Sequence, residues 1–280
     1  MTCTQPDASS LYRCPLCTEP LTPEPNEPRQ SSYRCVNRHH FDVAKEGYLN
    51  LLPVQHKNSK QPGDSKAMLQ QRRQFLQSGA YQPLVQCLVE QLQHFKPSSL
   101  LDSGCGEGYY SGCLKQALPE TAIAGMDISK SAIQLAAKRY PEIAFSVASA
   151  KALPYQDARF DAMLVLCAPF ELDEVKRCLR SGGQLLLVTA APNHLLQFKQ
   201  AIYDSVRLHS DRIPELNGMQ HQHRQRCSFM LEQLGAPSWL SLLEMTPLGW
   251  KLNDERKQQL CQSLTQLQVD FYIDSYQHGS

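Results

Sequence analysis

The chain has 280 residues with 28 basic and 27 acidic side chains, and its formal net charge of +1 means that any nucleic-acid surface must be local. Hydrophobic residues at 42% and charged residues at 20% describe an ordinary globular chain and exclude the disordered and fibrous classes. No apolar run approaches the roughly 18 residues of a membrane span, and the first ten residues lack a basic stretch followed by an apolar one, so no membrane association is expected. The eleven cysteines are accordingly expected as thiols and metal ligands of a cytoplasmic protein, not as a disulfide framework.

Residues 1–55 read as a zinc-binding module. They hold Cys14-Pro-Leu-Cys17 and, after a Pro-rich spacer of seventeen residues, Cys35-Val-Asn-Arg-His39. A C-x2-C turn facing a C-x3-H turn supplies four soft or borderline ligands, which suits tetrahedral Zn2+ with no position left for water and hence a structural role. Cys14, Cys17, Cys35 and His39 are the expected ligands, one zinc per chain. His40, one residue on, lies within the same spacing range, and Cys3 has no partner in the pattern. So short and polar a stretch cannot bury enough apolar surface to fold without metal.

Residues 56–97 read as a polar linker followed by a helical lead-in with apolar periodicity over 68–76 and 83–95. From residue 98 to 280, short apolar runs (SLLDSG, AIAGMDI, AFSVAS, DAMLVLCA, QLLLVTAA) alternate with helical patterns (YYSGCLKQAL, SAIQLAAKRY, ELDEVKRCLR). That alternation predicts an α/β domain with a mostly parallel sheet and crossover helices. Beyond Pro192 the signals weaken to a helix from about His194, a strand at CSFML, a helix from about Asp254 and a last strand near VDFYID.

The first strand of this series runs into Asp102-Ser103-Gly104-Cys105-Gly106-Glu107-Gly108. Glycines at 104, 106 and 108 allow a tight turn and close approach of a ligand to backbone, and Asp127 ends the next strand, where a carboxylate can hold ribose hydroxyls. A plain turn for the glycines and a helix cap for Asp127 are the competing readings. Dinucleotide-binding oxidoreductases use G-x-G-x-x-G, whereas D-x-G-C-G-x-G resembles motif I of class I (Rossmann-like) methyltransferases. In that resemblance Asp102 faces the cationic methionine end of S-adenosyl-L-methionine, residues 147–154 line the adenine, and a substrate base enters near Cys167-Ala168-Pro169-Phe170, with Phe170 either stacking on it or packing internally. Glu171, Asp173 and Glu174 are expected to cap the following helix.

Taken together, the C-x2-C and C-x3-H turns, Ala44-Lys45-Glu46-Gly47-Tyr48, Asn50-Leu51-Leu52-Pro53-Val54-Gln55-His56-Lys57, Gly63-Asp64-Ser65, Arg72-Arg73, Tyr81-Gln82-Pro83-Leu84, the glycine loop and Met245-Thr246-Pro247 resemble the RlmA family of 23S rRNA (guanine-N1)-methyltransferases. The spacer is longer than that family's, and Ser103 stands where an apolar residue is usual. The resemblance implies methylation of guanine N1 in a hairpin loop of domain II of 23S rRNA, a homodimer, and cofactor contacts at Tyr81, Gly106, Glu107 and His194. It names no general base. Arg34, Arg38, Lys57, Lys60, Lys66, Arg72 and Arg73 are available for RNA phosphates. The alternatives are a small-molecule methyltransferase with an accessory zinc module and a non-catalytic zinc-containing RNA-binding factor.

Overall fold

The computed structural model describes residues 11–24, 32–53 and 66–279. Three short strands, β1 (Thr22–Glu24), β2 (Ser32–Arg34) and β3 (His40–Asp42), form an antiparallel sheet in that order. The next strand, β4 (Leu49–Asn50), leaves this sheet and joins another. It pairs in parallel with β7 (Ala144–Val147), and the Leu51 N–H donates to Val147 O at 2.9 Å. The exit of the N-terminal module is thus the outermost strand of the main sheet.

That sheet has eight strands in the order β10-β11-β9-β8-β5-β6-β7-β4. Its middle is β5 (Ser99–Ser103), flanked in parallel by β6 (Ala122–Asp127) and β8 (Phe160–Leu166). The chain runs outward from β5 through β6 to β7, then crosses back to β8 and β9 (Leu179–Ala190), so the direction of winding reverses between β5 and β8. In open α/β sheets that reversal opens the ligand crevice at the carboxyl ends of the two strands. The far side is closed antiparallel by β11 (Gln266–His278) and β10 (Met219–Glu232). Both are longer than the apolar runs CSFML and VDFYID suggest, because the first half of β10 is the polar MQHQHRQR at the sheet's edge, where one face needs no apolar residues.

Successive strand residues face opposite sides, which divides the core in two. Leu100, Ile123, Leu164 and Leu186 face one cluster with α1 (Lys66–Gln77), α2 (Gln82–Phe95), α3 (Tyr109–Ala117), α4 (Lys130–Arg139), α6 (Leu196–Ile202), α7 (Ala236–Glu244) and α8 (Asp254–Ser263). Leu101, Ala124, Met163 and Leu185 face the other, which α5 (Leu172–Cys178) covers together with Tyr12, Cys14, Leu21 and Cys35 of the N-terminal module. The module therefore shares a core with the sheet. Tyr12 stacks on Tyr155 with ring centroids 5.5 Å apart, Arg13 N–H donates to Pro154 O at 3.0 Å, and Gln156 donates to the Leu11 and Tyr12 carbonyls. Among the described residues no helix is long and apolar enough to cross a membrane.

Candidate functional site

The two chelating turns meet. Cys14 Sγ, Cys17 Sγ, Cys35 Sγ and a ring nitrogen of His39 all lie within 4.8 Å of one another. The Nδ1 atom of His39 is 3.5, 3.3 and 3.4 Å from the sulfurs of Cys14, Cys17 and Cys35, and Cys17 and Cys35 are 3.6 Å apart. A tetrahedron with Zn–S of about 2.3 Å and Zn–N of about 2.0–2.1 Å has edges of about 3.5–3.8 Å, so these four residues fit zinc with no open position. The structure also chooses between the two histidines. His40 turns away toward Glu24 and Asp42, 3.6 Å from each. Cys14 is fully buried, which ties the metal site to the shared core.

At the carboxyl end of β5 the chain makes its tight turn with φ of +85° at Gly104 and +80° at Gly108, the latter opening α3. Gly104 admits no side chain, because a Cβ there would lie 2.5 Å from Ala168 Cβ in the loop after β8. The two lips of the crevice therefore touch. Asp127, at the end of β6, is half-buried and spans the turn: one carboxylate oxygen accepts from Gly106 N–H at 3.0 Å, the other from Ser129 N–H at 2.8 Å. It is not the helix cap, since Ser129 caps α4 by accepting from Ala132 N–H. Ser103 answers the loss of an apolar residue by directing its buried hydroxyl to Met126 Sδ at 3.4 Å.

Two acids of this loop are buried. Asp102 accepts a 2.5 Å hydrogen bond from Ser111, yet burial, reinforced by nearby Asp127, holds its carboxyl up at about 6. Glu107 is likewise pushed up by burial, against the pull of Arg139, Arg73 and Arg72, and its Oε1 has no partner among the described residues. A buried carboxylate with so little compensation favours a cationic or hydrogen-donating ligand.

Tyr81 and His194, distant in sequence, converge on Phe271 of β11, with ring centroids 6.2 and 4.2 Å from it. His194 accepts from Asp270 N–H through Nδ1 at 3.3 Å, and burial, with His209 and Lys199 nearby, pulls it down to about 3, so the ring is neutral at physiological pH. Next to it Leu195 is left-handed at φ +55°, as is Cys167 at φ +49° at the end of β8. Non-glycine residues in that region cost about 1–3 kcal/mol and gather at ligand sites. Cys167 itself is exposed. Phe170, half-buried, packs against the zinc-side core. Glu171 occupies the N-cap position of α5, while Glu174 accepts from Leu153 N–H and pairs with Arg177.

The sequence reading missed two things. Phe271 joins Tyr81 to His194, and no motif surrounds it. Arg72, grouped above with phosphate contacts, lies against the glycine loop; its neighbour Arg73 is exposed. Cys3, Val54-Gln55-His56-Lys57, Lys60 and Gly63-Asp64-Ser65 lie outside the described residues, and so do residues 25–31 of the Pro-rich spacer.

Residues 12–60 match the family model described as the RlmA N-terminal zinc ribbon, and residues 100–183 match a methyltransferase domain model. A 23S rRNA (guanine(748)-N(1))-methyltransferase of Streptomyces fradiae is 32% identical over 195 residues, covering 68% of this chain and 67% of that one. The Bacillus subtilis protein YxjB, provisionally named a 23S rRNA (guanine-N(1)-)-methyltransferase, is 29% identical over 263 residues, 88% of this chain and 89% of that one. A demethylmenaquinone methyltransferase of Thermotoga maritima is 31% identical over 123 residues, only 41% of this chain and 54% of that one. With its zinc cluster, glycine loop and sheet assembled in one molecule, this chain belongs to the 23S rRNA (guanine-N1)-methyltransferase family.

Proposed function

We propose that the protein methylates N1 of a guanosine in a hairpin loop of domain II of 23S rRNA, as a cytoplasmic homodimer. The observation that carries this reading is that the likeness to guanine-N1 enzymes runs through both the zinc ribbon and the methyltransferase sheet, whereas likeness to the demethylmenaquinone enzyme spans under half of the chain. The ligand cluster and the glycine loop that each half requires are both intact.

S-adenosyl-L-methionine supplies an electrophilic methyl group on a sulfonium. The chain's residues bind and orient around it. Asp102, ionised above about pH 6, faces the cationic methionine end, and Glu107 offers its unpartnered oxygen to a donor. Asp127 takes the ribose hydroxyls while keeping the loop closed through Gly106 N–H. Tyr81 and neutral His194 form an aromatic wall on Phe271. The guanine enters beside the exposed Cys167, at the strained end of β8, where the lips of the crevice meet. Guanine N1 holds its proton at neutral pH, so an acceptor beside it contributes about 10²- to 10⁴-fold. Reaching N1 needs an unpaired or splayed base, which suits recognition of a loop by phosphate and stacking contacts; Arg38 and Arg73 are exposed for the phosphates.

The test is incubation with tritium-labelled S-adenosylmethionine and large-subunit rRNA lacking base methylation, followed by nucleoside analysis. Label in 1-methylguanosine mapped to one hairpin is expected. Cofactor binding without labelled nucleoside, on naked rRNA and on assembled subunits alike, overturns the reading in favour of a small-molecule substrate or a non-catalytic RNA-binding factor.

A further inference from the structure

Arg72 occupies the middle of α1, half-buried, on the side facing the crevice. Its Nη1 lies 3.8 Å from where a Cβ on Gly106 would stand, so the guanidinium rests against the turn of the glycine loop. Its Nη2 donates to Met245 O at 3.4 Å, at the end of α7. One residue earlier, Gln71 Oε1 accepts from the buried Ser241 hydroxyl of α7 at 2.6 Å, which fixes α1 and with it the direction in which Arg72 projects. The arginine is thus held from behind.

Arg73 and Arg139 also act on Glu107, but Arg73 is exposed, and the groups of the turn itself are acidic. Asp102, Glu107 and Asp127 all belong to the loop or its bracing strand, and Arg72, resting against Gly106, is near enough to act on Glu107 and Tyr81. An amino-acid zwitterion matches this pattern. Its ammonium belongs with the buried carboxylates, and its carboxylate needs a cation on the opposite side of the turn, where a planar guanidinium makes paired hydrogen bonds.

We propose that Arg72 holds the methionine carboxylate of S-adenosylmethionine and is therefore a cofactor residue, not an RNA contact. The inference rests on the methyltransferase reading above. It assigns polarity to the cofactor's amino-acid end: carboxylate toward α1, ammonium toward Asp102 and Glu107.

The test is titration calorimetry of the full-length, zinc-loaded protein with S-adenosylmethionine, S-adenosylhomocysteine and decarboxylated S-adenosylmethionine. A lost charged hydrogen-bond pair corresponds to about a tenfold to hundredfold change in affinity. Arg72→Gln should weaken both carboxylate-bearing ligands by that factor while changing decarboxylated S-adenosylmethionine by less than about threefold. Arg72→Lys, which keeps the charge, should retain part of the affinity and provides the test should the glutamine variant misfold. Equal losses for all three ligands, or no loss for any, overturn the assignment. A wild-type protein that binds none of the three overturns the methyltransferase reading itself. A normal cofactor affinity in Arg72→Gln with a reduced salt dependence of RNA binding returns Arg72 to the phosphate contacts and likewise overturns it.

Discussion

At the zinc centre four ligand atoms converge from two chelating turns, each only a few residues long. The glycine loop is held differently, by Asp127 from β6, Ala168 from beyond β8 and Arg72 from α1. Spacing alone creates the first constellation, because a metal imposes the geometry on whatever short segments carry its ligands. The second exists only when several elements are already in place. Yet the zinc centre has a tertiary side too. Cys14 and Cys35 lie in the core beneath the sheet, and Tyr12 stacks on Tyr155 beside the segment 147–154 expected to line the adenine. The module that is local in origin is global in consequence.

The largest effect should come from removing the metal. Cys17→Ala should release one zinc per chain and lower the melting temperature of the whole molecule in a single calorimetric transition, because the ribbon and the sheet share a core. Metal analysis showing full zinc in that variant, or two separate transitions, breaks the comparison. His40→Ala should keep its zinc, since His40 is turned toward Glu24 and Asp42.

Next come the glycines. Gly104→Ala places a Cβ 2.5 Å from Ala168 at φ +85° and should cost about 2–4 kcal/mol in denaturant unfolding, whereas Gly106→Ala meets only Arg72 Nη1 at 3.8 Å and should cost about 1 kcal/mol. Equal costs at the two positions would mean that contact between the lips of the crevice does not hold the loop.

A smaller effect is carried by pH. Asp102 is raised from 3.8 to about 6 in the fold, so the native state holds its proton more tightly than the unfolded chain. Its burial is nearly without penalty below about pH 4, grows costly as pH rises to about 6, and then levels off at about 3 kcal/mol. Asp102→Asn should therefore be more stable than wild type at pH 7–8 and equal to it near pH 4, as read by paired melts, while its affinity for S-adenosylmethionine falls. His194 has the opposite sign. Its folded value near 3 lies below the unfolded 6.5, so its contribution is complete above pH 6.5 and is lost as pH falls toward 3. His194→Gln should flatten that acid limb. The smallest change is expected from Arg73→Ala, which should reduce the salt slope of RNA binding by about one and leave cofactor affinity unchanged.

Much of this molecule is legible in its sequence. The C-x2-C and C-x3-H turns determine the zinc ligands up to the choice between His39 and His40. The alternation of apolar runs with helical patterns after residue 98 determines a parallel sheet, and Asp102 through Gly108 with Asp127 locates its crevice. These signals are local, since each depends on side-chain periods or on chelate and turn geometry within a few residues. What only the tertiary structure decided is non-local. It selected His39 by turning His40 outward, brought Tyr81 and His194 together on Phe271, set Arg72 against Gly106, and made β4 and the zinc ribbon part of the sheet's own core. Such contacts join residues scores of positions apart and leave no period in the chain, because packing places a residue by the shape and charge of what surrounds it in space, not by its distance along the backbone.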